Sequence, residues 1–134
     1  MNAKIFVDTN VVLYLLSDDV AKAATAERII AQRPHIGVQV LNEASSIASR
    51  KLSMPLDEVM EFSDALRRIC IVEDVTTDHH VLALSLMRRY QFSMYDALIV
   101  AAALIAGCTK LYTEDLQHNM KVLKHLRIVN PFRV

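Results

Sequence analysis

The chain has 134 residues, of which 53% are hydrophobic, and its 15 basic and 15 acidic residues leave no formal net charge. This length and composition predict a single domain over residues 1–134 with a well-formed core, and they exclude an intrinsically disordered chain. No apolar run reaches the roughly 18 residues that a membrane-spanning helix needs, and the balanced charge does not by itself indicate nucleic-acid binding.

The first half of the chain alternates between short apolar segments and helical patterns. Short apolar runs bounded by polar residues are typical of buried strands, and apolar residues spaced three and four apart are typical of helices. The predicted elements are a strand over residues 4–7, helices over 11–16 and 20–32, a strand over 35–38 and a helix over 41–52. Ser17 or an adjacent aspartate is expected to cap the second helix.

The second half repeats the alternation and ends in two strands. A helix opens near Leu56, a strand covers residues 71–75, and Thr77 or Asp78 caps a helix that ends near Tyr90. Ser93 begins an apolar helix that runs to Gly107, and strands are predicted over residues 111–113 and 128–129. Strands that alternate with helices predict an α/β domain with a mainly parallel sheet, in which ligands bind beyond the carboxyl ends of the strands.

The two cysteines, Cys70 and Cys108, both lie in apolar surroundings. The N-terminal residues show no basic stretch followed by a cleavable apolar segment, so no secretion signal is expected. Buried thiols in a chain without such a signal indicate a reducing compartment. We therefore expect a cytoplasmic protein without a disulfide.

Four acidic residues occupy comparable positions at the predicted sheet edge. Asp8 and Asp115 follow strands, Glu43 is expected in the first turn of the helix after the second strand, and Asp96 is expected in the first turn of the apolar helix. Strand carboxyl ends and helix N-termini meet at one edge of a parallel sheet, so the four carboxylates should crowd together. Each acid also has an ordinary explanation as a helix cap, a turn residue or a surface acid.

Carboxylates that are forced together repel each other unless protons or cations neutralise them. Mg²⁺ and Mn²⁺ are the simplest neutralising ions, because both prefer carboxylate and water oxygens. Such ions activate water as a nucleophile and stabilise the charge on a transferring phosphoryl group. The pattern therefore predicts metal-dependent phosphoryl chemistry.

Four segments, FVDTNVVLYLL, QVLNEASSIASRKL, FSMYDALIVAAAL and LYTEDLQ, resemble in order the acidic motifs of PIN-domain ribonucleases, and most closely the VapC toxins of toxin–antitoxin modules. The resemblance implies a three-layer α/β/α sandwich around a parallel sheet of four or five strands. It also implies a Mg²⁺- or Mn²⁺-dependent endoribonuclease. Its catalytic and metal-binding residues would be Asp8, Glu43, Asp96 and Asp115, of which Asp8 and Asp96 match the most reliable ligands.

The resemblance also assigns supporting residues and partners. Asn10 and Thr113 match polar residues that orient the carboxylates by hydrogen bonds, and Glu114 competes with Asp115 for the fourth acidic position. Arg50 and Lys51 follow Glu43 on the same predicted helix and are the best candidates to contact RNA phosphates. The partners implied are an RNA substrate, a cognate antitoxin and a second copy of the chain in a homodimer, with no membrane.

Three alternatives remain open from the sequence alone. One is a PIN nuclease that acts in RNA processing, and another is a PIN-like interaction module without catalysis. The third is a phosphoryl-transfer protein of another α/β family, such as an aspartyl-phosphate phosphatase or a receiver domain. The phosphatase pattern has a second aspartate two residues after the first, whereas this chain has Asn10 there.

Overall fold

The computed structural model describes residues 4–133, which form an α/β domain. A single turn of 3₁₀ helix, Tyr14–Leu16, extends the first helix. The strands are β1 Ile5–Val7, β2 His35–Gly37, β3 Ile71–Glu73, β4 Lys110–Tyr112, β5 Lys121–Val122 and β6 Leu126–Val129, and the helices are α1 Thr9–Leu13, α2 Val20–Ala31, α3 Val38–Arg50, α4 Leu56–Ile69, α5 Thr77–Tyr90 and α6 Met94–Ile105.

The strands form one sheet in the order β3-β2-β1-β4-β6-β5. Every neighbouring pair is parallel except β5 with β6, which is antiparallel. The predicted α/β fold with a parallel sheet of up to five strands is confirmed. The two-residue edge strand β5 was not predicted, because it is too short to show a period in the sequence.

The core lies on the central strands. Phe6, Ile36, Leu111 and Ile128 come from four adjacent strands, and each is completely buried. Phe6 pairs in register with Leu111, and Leu111 pairs with Ile128, so these three side chains form a continuous row across β1, β4 and β6. Strands covered by helices on both faces read as short apolar runs, which explains why the sequence pattern found them.

The helices pack in two groups, as the three-layer sandwich requires. One group is α1 to α4, in which α3 contacts both α1 and α4, and the other is the pair α5 and α6. The helix predicted over residues 41–52 begins earlier, at Val38, directly after β2. The β-branched residues Val38 and Val40 favour a strand in isolation, but burial of Val40 in the core holds them in the helix.

Most predicted caps are present. Asp19 accepts a hydrogen bond from the Lys22 N–H at the start of α2, and Ser93 caps α6. The cap of α5 is Thr76 rather than Thr77 or Asp78. These caps fix where the helices begin, and therefore where the acidic residues of their first turns lie.

The direction in which successive strands are added to the sheet reverses beside β1. The chain passes from β1 through β2 to β3 on one side, and then crosses to β4 on the other side of β1. A crevice forms at such a reversal, beyond the carboxyl ends of the two strands, and it is the usual ligand site of a parallel sheet. In this chain the crevice lies beyond Val7 and Tyr112, which end β1 and β4.

Cys70 and Cys108 are buried and do not form a disulfide, as expected. Burial raises the pKa of both thiols to about 11, so they are protonated and unreactive at neutral pH. Among residues 4–133, no helix is both long enough and apolar enough to cross a membrane.

Candidate active site

Asp8 follows β1 directly and caps the short helix α1. One carboxylate oxygen, Oδ1, accepts the Thr9 N–H at 2.7 Å, and the other, Oδ2, accepts the Thr113 hydroxyl at 2.8 Å. Burial raises the pKa of Asp8 from 3.8 to about 6, and the Thr113 and Thr9 hydrogen bonds oppose that rise. The nearby carboxylates of Asp115 and Glu43 raise the Asp8 pKa further. A buried carboxylate of this kind is stabilised by a cation.

Thr113, one residue beyond β4, is completely buried and connects two of the acids. Its hydroxyl donates to Asp8 and accepts hydrogen bonds from Asn10 Nδ2 and from the Asp115 N–H, each at 3.1 Å. Asn10 Nδ2 also donates to Asp115 Oδ2 at 2.9 Å. Asn10 and Thr113 therefore lie where residues that orient the carboxylates would have to lie.

Glu43 lies in the second turn of α3, not the first, because the helix begins at Val38. Its Oε2 accepts the Thr9 hydroxyl at 3.1 Å, and its Oε1 accepts Gln39 Nε2 at 3.2 Å. The early helix start places Gln39 one turn before Glu43, on the same helix face. The two hydrogen bonds hold an exposed glutamate against the crevice.

Asp96 is the third residue of α6. Its backbone N–H donates to Ser93 Oγ at 3.2 Å, which fixes the first turn of the helix. A carboxylate in this turn also benefits from the positive end of the helix dipole. The ordinary explanation of Asp96 as a first-turn acid is therefore correct, but it does not explain why the helix points this acid at the other three.

One cavity of about 100 Å³ brings the four acids together. Its lining includes Thr9, Gln39, Val40, Tyr95 and Ile99 beside Asp8, Glu43, Asp96 and Asp115. Glu114 is outside this cavity, since its carboxylate accepts the Tyr14 hydroxyl at 2.7 Å. That hydrogen bond raises the pKa of Tyr14. By position, Asp115 and not Glu114 is the fourth acid of the cavity.

The four carboxylates have the donor chemistry of a site for a hard divalent ion. Oxygen donors of this type and number suit Mg²⁺ and Mn²⁺. Within residues 4–133, however, no three acidic, histidine or cysteine side chains form a ready-made ligand set. The Glu43 and Asp115 carboxylates are held by neighbouring amides and a hydroxyl, so an ion would have to compete with those hydrogen bonds. The residues therefore fit such an ion by the chemistry of their oxygen donors.

The two basic residues predicted to bind RNA lie away from the cavity. Arg50 is the last residue of α3 and Lys51 follows it, and both are exposed. Arg50 comes seven residues after Glu43, which places it about 10 Å further along nearly the same helix face. Neither side chain lines the acidic cavity.

Besides the apolar Val40 and Ile99, sequence reasoning missed three lining residues that can hydrogen-bond, Thr9, Gln39 and Tyr95. Thr9 and Tyr95 are direct neighbours of Asp8 and Asp96, but a polar or aromatic neighbour is too common to carry a signal. Gln39 falls one helical turn before Glu43, a relation that was hidden because residues 35–38 were expected to form a strand. A correct start for α3 would have shown the pair.

Solved structures of a toxin and of toxin–antitoxin complexes share this fold. A toxin–antitoxin complex from Klebsiella pneumoniae aligns at 17% identity with a TM-score of 0.75, over 98% of this chain and 100% of that one. Mycobacterium tuberculosis VapC20, described as a sarcin–ricin loop cleaving toxin, aligns at 25% identity with a TM-score of 0.66, over 84% and 92%. DNA-bound VapBC from Salmonella typhimurium aligns at 18% identity with a TM-score of 0.68, over 95% and 97%.

A protein-family model matches a part of the chain that contains the whole candidate site. No curated protein sequence matches the chain. A model of the PIN domain matches residues 5–122, a span that includes all four acids of the cavity and both residues that bridge Asp8 and Asp115. Because that match extends over most of the sequence, the chain belongs to the PIN-domain family.

Proposed function

We propose that this protein is a Mg²⁺- or Mn²⁺-dependent endoribonuclease and the toxin of a VapBC-type toxin–antitoxin pair. The observation that carries the proposal is the convergence of Asp8, Glu43, Asp96 and Asp115 on one small cavity beyond β1 and β4. Membership of the PIN-domain family and the fold shared with VapC toxins support it. The described sarcin–ricin loop cleavage by VapC20, which is 25% identical, favours RNA as the substrate class.

Each acid has a part in this proposal. Asp8 and Asp96 would hold the ion, and Glu43 and Asp115 would complete the site directly or through water. Bound Mg²⁺ or Mn²⁺ supplies an activated water and stabilises the charge that develops on the phosphoryl group. Asn10 and Thr113 keep the Asp8 and Asp115 carboxylates in place, so that little reorganisation is needed when the substrate binds.

We expect the purified protein to cut RNA in Mg²⁺ or Mn²⁺ and to lose that activity in EDTA. Sequencing of RNA 5′ ends after brief induction in cells would identify the bond that is cut. Equal cleavage in EDTA would contradict the metal-dependent mechanism. Absence of new 5′ ends after induction, together with no growth inhibition, would contradict the toxin assignment.

The neighbouring acids Glu114 and Asp115 provide a matched pair of variants for the same assay. Asp115→Asn should lower cleavage by at least about tenfold, because loss of a ligand or its support weakens a metal site by that much. Glu114→Gln should leave cleavage nearly unchanged, because Glu114 hydrogen-bonds to Tyr14 outside the cavity. The reverse order of effects would assign the fourth acidic position to Glu114.

Tyr95 is expected to contact a base of the RNA. Its side chain lines the acidic cavity and is 74% exposed, so the ring is open to a base of a strand that enters the cavity. Stacking of a base on an aromatic ring contributes about 1–3 kcal/mol, so Tyr95→Ala should weaken RNA binding by about 5- to 150-fold, and Tyr95→Phe should not.

Fluorescence can test this contact directly. The chain has no tryptophan, so Tyr95→Trp introduces one fluorophore, which a stacked base should quench when RNA is added. Val81→Trp, at a site on α5 that is 65% exposed and outside the cavity, is the control. Equal quenching in both variants, or none in Tyr95→Trp, would show that Tyr95 does not stack on the RNA.

A groove next to the active site is a suitable binding site for the proposed antitoxin. A cavity of about 500 Å³ lies between α1, the 3₁₀ helix and α3, and its lining is mainly apolar, with Leu13, Leu16, Ile47 and Leu52. The groove also includes Asn10, so a bound segment would reach the hydrogen bonds that hold Asp115. We further propose that the protein is cytoplasmic, because its two buried thiols are free. We also propose that it forms a homodimer, because its composition is rich in apolar residues.

A further inference from the structure

A second polar groove lies at the same edge of the sheet as the acidic cavity. It has a volume of about 380 Å³ and is bounded by α2, by the ends of β4 and β6 and by the segment after β6. Its polar lining includes Thr25, Arg28, Gln32, His118, Asn130 and Arg133, and none of the described residues around it is acidic. We call it the basic groove.

The positive charge of the basic groove is not neutralised by the described part of the chain. Residues 4–133 contain two ion pairs, His35 with Glu73 and Arg67 with Asp64, and neither involves the groove. Arg28 donates one hydrogen bond, from Nη2 to the Thr25 hydroxyl at 3.2 Å. Two guanidinium groups that have no acidic partner among residues 4–133 and that line one concave site have the donor chemistry to bind an anion.

His118 contributes a further donor to the groove. Its Nδ1 accepts the Asn130 N–H at 3.0 Å, so in the neutral ring the proton is on Nε2. The amides of Gln32 and Asn130 can also donate hydrogen bonds. The groove therefore presents donors and positive charge and suits the oxygen atoms of a phosphate group.

The position of the basic groove relates it to the acidic cavity. Tyr112 and Val129, the last residues of β4 and β6, line the groove, and Asp115 of the cavity lies only three residues before His118. Three residues span at most about 11 Å, and neighbouring strands are about 4.8 Å apart. A single strand of nucleic acid that crosses the carboxyl edge of the sheet would meet both sites.

We propose that the basic groove binds a backbone phosphate of the RNA substrate, next to the phosphate that is cut. The inference rests on the proposed ribonuclease function and adds the part of the surface that holds the strand. The chain has only two glycines, Gly37 and Gly107, and thus no glycine-rich phosphate loop, so side chains must hold the flanking phosphates. Arg28 and Arg133 are the residues placed to do so.

The double variant Arg28→Gln, Arg133→Gln tests the proposal through the salt dependence of RNA binding. Binding of a short single-stranded RNA pool of random sequence is measured in EDTA, where no cleavage is expected, at a series of low salt concentrations. Each lost phosphate contact lowers the slope of log affinity against log salt by about 0.7. We expect a slope about 1.4 smaller and an affinity about tenfold weaker at the lowest salt.

The matched control is Arg67→Gln, Arg68→Gln, which removes the same charge from exposed positions on α4. It should leave the slope close to that of the wild type, and Arg28→Lys should retain most of the binding of the native protein. Equal losses in the two double variants would overturn the proposal, as would an unchanged slope or a wild type that does not bind the pool. A thermal melt close to that of the wild type shows that the Arg28, Arg133 variant is folded.

Two further outcomes separate this inference from its alternatives. If the Arg28, Arg133 variant binds RNA normally but loses binding of a polyglutamate peptide, the groove is a site for an acidic protein segment and the proposal is wrong. If the wild type binds the pool through the groove but never cuts RNA with Mg²⁺ or Mn²⁺, the phosphate site stands and the proposed nuclease function fails. If the wild type cuts RNA but the Arg28, Arg133 variant has the same salt slope as the wild type, the nuclease function stands and the proposed phosphate site in the basic groove is wrong.

Discussion

Asp8→Asn is expected to abolish RNA cleavage and, at neutral pH, to stabilise the protein when no metal is bound. Loss of a carboxylate that holds the ion removes several kcal/mol of transition-state stabilisation, so cleavage should fall by about 10³-fold or more. The gain in stability has a separate cause, the cost of burying the charged form of Asp8 without a cation.

The pH dependence of the gain follows from the pKa of Asp8. The folded pKa is about 6, and the usual value of 3.8 applies to the unfolded chain. The folded state therefore binds the proton more tightly, and the free energy of unfolding falls as pH rises from about 4 to about 6. The full linkage amounts to about 3 kcal/mol. Because the asparagine keeps only part of the hydrogen bonding of the carboxylate, we expect Asp8→Asn to gain about 1–2 kcal/mol above pH 6 and nothing near pH 4.

Chemical denaturation in EDTA, near pH 4 and above pH 6, measures the free energy of unfolding of both proteins and tests this prediction. Glu61→Gln, at an exposed position on α4, is the control and should change stability by less than about 0.5 kcal/mol. A variant that is less stable than the wild type at neutral pH would mean that the Thr9 and Thr113 hydrogen bonds outweigh the cost of burying Asp8. Wild-type levels of cleavage by Asp8→Asn would contradict the proposed site.

Thr113→Val should destabilise the protein and weaken metal binding, although valine has nearly the shape of threonine. The Thr113 hydroxyl donates to the Asp8 carboxylate and accepts from Asn10 and from the Asp115 N–H. Its removal leaves a buried carboxylate with one hydrogen bond fewer and two donors without their acceptor. We expect a loss of about 2–3 kcal/mol of folding free energy.

The loss should depend on pH, because the Thr113 hydrogen bond lowers the pKa of Asp8. Without it the Asp8 pKa rises further, so Thr113→Val should lose more stability at neutral pH than below about pH 3, where Asp8 is protonated in both the folded and the unfolded state. Mn²⁺ affinity, measured by isothermal titration, should fall by about 10- to 100-fold.

Thr113→Ser is the matched control, since serine keeps the hydroxyl and loses only a methyl group. It should cost about 1 kcal/mol and leave Mn²⁺ affinity close to that of the wild type. If serine and valine weaken Mn²⁺ binding equally, the hydroxyl does not orient the carboxylates, and packing of the methyl group is what matters.

Several features of the protein follow from its sequence alone. The short, mainly apolar segments at residues 4–7, 35–38 and 111–113 predict buried parallel strands, because strands covered on both faces do not alternate between apolar and polar residues. Placement of Asp8 and Asp115 after such runs puts both acids on one edge of the sheet. Chain-local caps such as Ser93 fix the start of α6, and with it the position of Asp96. Local patterns thus carry the fold class and the candidate acids.

Other features were decided only by the tertiary structure. The sequence favours Asp115 but leaves Glu114 as its rival, and the tertiary structure separates them, because Glu114 accepts a hydrogen bond from the Tyr14 hydroxyl, a hundred residues away, outside the cavity. Val38 and Val40 favour a strand locally, yet burial starts α3 at Val38 and brings Gln39 to Glu43. No local pattern contains such facts, because each depends on a contact that forms only after the chain has folded.

The basic groove is the clearest example of a feature that local sequence patterns do not predict. Arg28 and Arg133 are separated by 105 positions, so no spacing rule relates them, and each alone is an ordinary exposed arginine. They come together because α2 and the segment after β6 both pass the carboxyl ends of β4 and β6. The sequence therefore specified the acids that would do the chemistry through patterns of a few residues. The surface that would hold the substrate depends on long-range packing, and only the folded chain shows it.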